Sequence, residues 1–308
     1  MKGKPKLTTC CLINHYNYRD FVREAVASAV EQTHPFDEIL VVDDGSSEEH
    51  LEEVRRVCAE YDAVRLIEKK NGGQLSCFEV GVAESTADVA FFLDADDVWD
   101  PRYVESVMKV FAEHPEVEFV ACNERRFFPD GRSEVTPRQT RDLGYSFVRA
   151  LKNGGAFVGQ PTSCLAIKRR ILDDIFPLPQ ARGWRTCADE ALVYGSSVVG
   201  ARKYFLGEPL VGYRIHGTNH WFGKKYCPKD RLLRGREVQR LVEVLRLRQG
   251  LPISMANLAH HEFRTIEGAN KNDYTEYQRL VGSSQLSFRR KLRIRLAIFA
   301  WYRLGKRI

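Results

Sequence analysis

The sequence predicts an α/β fold with a mostly parallel central sheet flanked by helices and a helical extension at its C-terminal end. Two observations carry that expectation. From Leu7 to Leu93, short apolar runs rich in β-branched residues alternate with segments of helical periodicity. That alternation is the pattern of successive βαβ units with right-handed crossovers. Three of the runs also end in chemically loaded residues: Tyr16 after the first, Asp43 and Asp44 after the second, Asp94 to Asp97 after the fourth. In a parallel sheet those ends share one rim, where open α/β sheets bind ligands.

Leu7 to Ile13 is apolar and Thr-rich and reads as the first strand. Asp20 is the expected N-cap of a helix that ends near Thr33, before His34-Pro35. Glu38 to Val42 is the second strand, followed by Asp43-Asp44-Gly45-Ser46-Ser47 and a helix from Glu48 to about Tyr61. Val64 to Ile67 is a short third strand, Asn71-Gly72-Gly73 a loop, and Gln74 to Glu84 a helix. Val89 to Leu93 is the fourth strand.

That strand runs straight into Asp94, Asp96 and Asp97. Carboxylates packed this closely repel unless a cation sits among them. Hard oxygen ligands at a strand end suit Mg²⁺ or Mn²⁺, usually shared with a phosphate. The bland alternative is a solvated acidic turn before a helix, with Asp97 or Asp100 as N-cap and Pro101 at its first position. A nucleotide is the natural occupant of the rim. Tyr16 can stack on a base, and the Asp44 carboxylate can accept a base N–H. No G-x-G-x-x-G follows the first strand and no G-x-x-x-x-G-K-[ST] occurs, which disfavours a dinucleotide and excludes a P-loop.

Pro101 to Phe111 is expected as a helix, Val117 to Cys122 as a fifth strand, and Pro129-Asp130-Gly131 as a hairpin turn. A short helix over Tyr145 to Leu151, a loop at Asn153-Gly154-Gly155 and a strand over Ser163 to Ile167 follow. Asp189 and Glu190 open an apolar helix that continues to about Val199. A carboxylate there is usually a cap, but its pKa should fall beside the helix dipole, which keeps it ionised as a base. Leu210 to His216 is another strand, and His216 could complete a metal site or contact phosphate.

Lys229 to Gln249 reads as a long charged helix, with further helices over Ile253 to Glu267 and Asp273 to Leu280. Two regions are expected, 1–225 for the chemistry and 226–308 as the extension. The net charge of +6 belongs to the tail: Val281 to Ile308 holds eight Lys/Arg and no Asp/Glu, leaving 39 basic against 41 acidic residues elsewhere. A nucleic-acid face on the main domain is therefore not indicated. Phe288, Leu292, Leu296 and Phe299 recur at helical spacing among the tail's cations, so the tail either lies on an anionic membrane or docks on the domain. The longest late apolar run, Leu296 to Tyr302, is far short of a membrane span. The N-terminus is basic without a long apolar region and does not read as a signal peptide. Eight cysteines without C-x-x-C spacing read as buried reduced thiols of a cytosolic protein.

These segments resemble the family 2 glycosyltransferases, which have the GT-A fold. The likeness rests on an ordered set: Leu12-Ile13-Asn14-His15-Tyr16-Asn17 through Ser28 and Gln32-Thr33, Ile39-Leu40-Val41-Val42-Asp43-Asp44-Gly45-Ser46, Asn71-Gly72-Gly73-Gln74, and Phe92-Leu93-Asp94-Ala95-Asp96-Asp97. It implies transfer of a sugar, with inversion, from a nucleotide-sugar donor such as a UDP-sugar to a hydroxyl of a glycan or lipid-linked acceptor in cell-surface polysaccharide synthesis. By that likeness Asn14, Tyr16, Asp43, Asp44, Gln74, Asp94 and Asp96 line the donor side, with Tyr16 and Asp44 on the base and Asp94 towards the ribose or diphosphate. Asp96 and Asp97 would hold Mn²⁺ or Mg²⁺, and His216 sits where some members place a residue near the diphosphate. Asp189 matches the catalytic base, with Glu190 its rival. The resemblance also implies a cytoplasmic enzyme, peripheral on the inner face of the cell membrane through 285–308. Many members carry Arg and Asn in the helix after the glycine loop, where this chain has Cys77 and Phe78. Two other classes compete. A sugar nucleotidyltransferase would need a Gly-rich basic N-terminal loop, absent from Leu7 to Asp20. A catalytically silent nucleotide-sugar or membrane-binding protein would not need both the acidic strand end and Asp189.

Overall fold

The computed structural model describes residues 6–151, 157–179, 184–217, 219, 222 and 227–305. The chain opens with β1 (Thr9–His15), α1 (Arg19–Val30), β2 (Glu38–Asp43), α2 (Glu48–Cys58), β3 (Val64–Glu68), α3 (Gln74–Glu84) and β4 (Val89–Asp94). These strands lie side by side as β3-β2-β1-β4, all parallel, as the alternation predicts. Register sets the rim: Asn14 pairs with Asp94 on one side and Val42 on the other, and His15 pairs with Asp43. The chemistry-bearing residues of three strands are therefore neighbours because their strands end level.

Beyond β4 the order is β5 (Val98–Trp99), α4 (Tyr103–Glu113), β6 (Phe119–Phe127), β7 (Ser133–Val135), β8 (Arg141–Gly144), α5 (Phe147–Ala150), β9 (Leu165–Lys168), α6 (Arg169–Ile175), α7 (Asp189–Val198) and β10 (Lys203–Arg214). Here the sheet becomes mixed. β9 inserts antiparallel between β4 and β6, β10 runs parallel to β6, and β5 closes the far edge against β10. The hairpin expected at Pro129-Asp130-Gly131 is present as β6–β7, with Phe127 opposite Ser133. The C-terminal helices are α8 (Pro228–Arg248), α9 (Ala259–Phe263), α10 (Lys271–Gly282) and α11 (Phe288–Leu304).

Between their ends the central strands are apolar because both faces are covered. Cys10, Leu12, Leu40 and Phe92 face one core with Leu75 and Phe78 of α3, Leu192 of α7 and Leu241 of α8. Cys11, Ile13, Val41, Phe91 and Leu93 face the other, with Val22 of α1, Val54 of α2 and Val107 of α4. A fully buried phenylalanine such as Phe92 is worth about 3–5 kcal/mol against alanine. A third cluster joins Phe263, Tyr277, Leu280, Ile294 and Ile298 of α9 to α11.

Several local expectations differ. Asp20 lies in the first turn of α1, with Tyr18 at the cap. Pro101 and Arg102 form a turn on Asp100, so α4 starts at Tyr103. The helix expected over Ile253 to Glu267 is reduced to a 3₁₀ turn and α9. Strand β10 begins at Lys203, well before Leu210, because Gly207 and Pro209 interrupt its alternation without ending it. The Asn153-Gly154-Gly155 loop lies outside the described residues. Six of the eight cysteines are buried thiols, Cys187 is half-buried and Cys227 is exposed.

Candidate functional site

At the carboxyl rim of β1, β2 and β4 lies a cleft of about 640 Å³. Tyr16 leaves β1 at its mouth and is 46% exposed. Asp44 lines the cleft and is held hard: Lys69 Nζ donates to its Oδ1 at 2.5 Å, Gly72 N–H to Oδ1 at 2.8 Å and Gly73 N–H to Oδ2 at 2.7 Å. It ties the end of β2 to the glycine loop. Gly73 must be glycine, since its φ is +92° and a Cβ would sit 2.4 Å from Arg185 Cα.

Asp43 does not face the cleft, which corrects its assignment to the donor side. It is fully buried and accepts from His15 Nδ1 at 2.8 Å, the Gly45 and Ser46 amides at 3.0 Å and Ser46 Oγ at 2.5 Å. Tyr18 N–H donates to His15 Nε2, so the imidazole proton is on Nδ1. Burial pulls the Asp43 pKa up, but the bonds from His15 and Ser46 outweigh it and hold it below the usual range. Its work is to shape the turn that presents Asp44.

The acidic strand end divides by position. Asp94, Asp96 and Asp97 offer oxygens that lie within 4.8 Å of one another. Asp94 lines the cleft and accepts from Gln74 Nε2 at 2.8 Å. Burial, then the Asp96 charge, pushes its pKa up. Asp96 lines the cleft and meets His216 Nε2 at 2.9 Å, so His216, 120 residues away, is brought to the carboxylates. Asp97 points inward, 1% exposed, accepting from Ser163 Oγ at 2.6 Å and Arg214 N–H at 2.9 Å. Burial and the charges of Asp96 and Asp94 raise its pKa. Arg214 also donates through Nε to the Asp96 carbonyl at 2.8 Å. Asn14 Oδ1 is buried in the cleft wall with no hydrogen-bond partner among the described residues.

The opposite wall is the start of α7. Asp189 and Glu190 both line the cleft. Gln74 spans it, since its Oε1 accepts from Ala188 N–H at 2.9 Å while its Nε2 holds Asp94. The α3 amides of Gln74 and Leu75 donate to the Arg185 and Trp184 carbonyls, which fixes this segment against the glycine loop. The expectation that a helix N-terminus lowers the Asp189 pKa is overturned. Burial, then the Glu190 charge, pushes it up to about 7, against a smaller opposite pull from Arg234. Glu190 accepts from Arg234 Nε at 2.9 Å, so the two carboxylates are not equivalent.

The residues fit a divalent cation: two cleft carboxylates and an imidazole are hard or borderline donors, and three acids offer oxygens within 4.8 Å of one another. Lys69, Ser163, Arg214 and Arg234 are the polar residues that sequence reasoning missed. Each acts through a partner distant in the chain, and none sits in a recognisable local pattern.

A family model described as glycosyl transferase family 2 matches residues 10–176. An uncharacterized glycosyltransferase of Nostoc sp. is 33% identical over 216 residues, 68% of this chain and 65% of that protein. Chondroitin synthase of Pasteurella multocida is 30% identical over 116 residues, 38% of this chain and 12% of that protein. The matched stretch thus spans less than two thirds of each of these relatives. Among solved structures, TarS 1–349 of S. aureus in complex with UDP-GlcNAc superposes with a TM-score of 0.59 at 16% identity, covering 96% of this chain and 90% of that one. The mannosyltransferase PcManGT of Pyrobaculum calidifontis, in complex with GDP-Man and Mn²⁺, gives 0.53 at 16% identity, covering 98% and 88%. At such identity the likeness shows the fold.

Proposed function

Since the chain belongs to glycosyl transferase family 2, we propose that it transfers a sugar, with inversion, from a UDP-sugar to a hydroxyl of a glycan or lipid-linked acceptor in cell-surface polysaccharide synthesis. The observation that carries this reading is the convergence of three strand ends, an acidic cluster and Asp189 on one cleft of about 640 Å³. Tyr16 stacks on the base, the Asp44 carboxylate accepts a base N–H, and Asn14 Oδ1 with Asp94 takes the ribose hydroxyls. Asp96 and His216 would hold Mn²⁺ or Mg²⁺, and Asp97, which the sequence reading also gave to the ion, is turned inward to Ser163 and Arg214 and would support them from beneath. A bound divalent ion supplies charge neutralisation to the departing diphosphate.

Asp189 accepts the proton of the acceptor hydroxyl. The acceptor oxygen bonds to the anomeric carbon from the face opposite the leaving group, and the bond to the diphosphate oxygen breaks with its electron pair. A pKa near 7 suits this task, being matched to neutral pH. Residues 1–225 carry this chemistry. The extension, 226–308, contributes α8 to the base's surroundings and holds the enzyme peripherally on the inner face of the cell membrane. Incubation with a UDP-sugar panel and Mn²⁺ tests the class. Release of nucleoside diphosphate supports transfer, whereas release of pyrophosphate from sugar phosphate and nucleoside triphosphate would replace it with nucleotidyl transfer.

A further inference from the structure

Helix α11 has two apolar faces, and only one is used by the fold. Ile294 and Ile298 are buried, and with Trp301 and Tyr302 they seat the helix on the third core cluster. Tyr302 stacks on Tyr274 at 4.6 Å. At 3.6 residues per turn, Phe288, Leu292, Leu296 and Phe299 fall within an arc of roughly 80° turned away from Ile294 and Ile298, with the Phe299 ring at its edge, 6.5 Å from Tyr274. These four are 79%, 49%, 56% and 45% exposed. The docking contacts fix this second stripe outward, where water would otherwise wet four large side chains in a row.

The charges say what covers it. Arg289, Arg290, Lys291, Arg293, Arg295 and Arg303 lie on α11, which has no acidic residue. Among the described residues none of the six pairs with a carboxylate. Lys291 donates to the Gly282 carbonyl, Arg295 to the Gln278 side chain, and Arg303 lies over the Phe299 ring. Cations flank the stripe on both sides: Arg289 and Arg293 on one, Lys291 and Arg295 on the other. A second copy of the chain would bring the same uncompensated charges against them. No described helix is long and apolar enough to cross a membrane.

We propose, extending the peripheral location inferred above, that α11 is an interfacial helix whose outer stripe inserts shallowly into an anionic lipid bilayer. Phe288, Leu292, Leu296 and Phe299 enter the acyl boundary, and the flanking Arg and Lys heads meet lipid phosphates while their stems cover the stripe. The pre-docked helix pays no folding cost at the surface, unlike a free amphipathic peptide.

Sedimentation with vesicles tests this on the full chain. Binding is expected to phosphatidylcholine vesicles containing phosphatidylglycerol and not to phosphatidylcholine alone, and to weaken as salt is raised. Each Arg→Gln change at Arg289 or Arg293 should weaken partitioning roughly fivefold. The double change Phe288→Ser with Leu292→Ser should abolish it while leaving the melting temperature unchanged, since both side chains are exposed. No binding to the mixed vesicles, equal binding to both compositions, or undiminished binding by the serine variant overturns the proposal. A concentration-dependent dimer lost in the serine variant, without vesicle binding, assigns the face to a second copy instead. Nucleoside diphosphate release by the same variants, with a water-soluble acceptor, reports separately on the transferase reading. Its absence in every variant and the parent counts against that reading and leaves the vesicle result standing.

Discussion

Arg234 on α8 donates to Glu190 at the start of α7, Nε to Oε2 at 2.9 Å, and its Nη2 donates to the Cys187 carbonyl at 2.5 Å. Its guanidinium lies over the Trp184 ring, 4.1 Å from the centroid. One side chain thus holds three points of the segment that presents Asp189, and it comes from a C-terminal helix, α8. Arg234→Met should lower stability by about 1.5–3 kcal/mol, the scale of a charge-assisted bond lost with its partner half-buried. It should cut kcat on the order of 10- to 100-fold through a displaced base, with the donor KM nearly unchanged. Arg234→Lys should recover part of the loss. Steady-state kinetics and thermal unfolding check both.

Glu190 is occupied by Arg234, whereas Asp189 stands at the cleft with its pKa pushed up to about 7. Asp189→Asn should cost roughly 10²- to 10⁴-fold in kcat, the range of general base catalysis, and Glu190→Gln far less. The pH profile of kcat/KM should climb to a plateau through about 7, because only the ionised form takes a proton. Stability runs the other way. A carboxyl raised in the folded state from 3.8 to about 7 contributes stability below the lower value that is lost as pH rises through the upper one. Asp189→Asn should therefore raise the melting temperature more at about pH 8 than at about pH 4. Melting scans across pH measure this.

Two adjacent carboxylates should fail differently. Asp96 faces the cleft and His216, so Asp96→Ala should remove metal-dependent donor binding with little loss of fold. Asp97 is held by Ser163 and Arg214, so Asp97→Ala should lower stability by about 1–3 kcal/mol by orphaning those donors. Paired unfolding and titration curves for the two variants separate them.

Asp43 is a buried turn residue beside one that lines the cleft. Asp43→Ala frees four donors, and about 2–4 kcal/mol of stability should go with them. In the parent this contribution is present at neutral pH and lost on acidification below the usual carboxylate pKa, since the folded pKa is lowered. Urea unfolding at neutral and acid pH reads both effects.

The parallel half of the sheet was legible because its signals are local: apolar runs, helical periodicity and glycine loops follow one another from Leu7 to Leu93. The rim followed from topology, since parallel strands that end level place Asn14 beside Asp94. The mixed half was not legible. Insertion of β9 between β4 and β6 is a choice of partner that no short segment encodes. Neighbouring aspartates could not be sorted either. Asp43 and Asp44 at the end of β2, and Asp96 and Asp97 in the turn after β4, aim at different sides of the rim, and distant donors such as His15 and Ser163 decide which goes where. The pKa of Asp189 was misread because the helix dipole is visible in sequence while burial and a neighbouring charge outweigh it.

The most direct test is a calorimetric titration of a UDP-sugar panel into the protein, with and without Mn²⁺, repeated on Asp96→Ala. Tight binding of one donor that requires the ion, and that vanishes in the variant, is the predicted result. Binding that is indifferent to Mn²⁺ and survives in Asp96→Ala, or no donor bound by the folded chain, would contradict it.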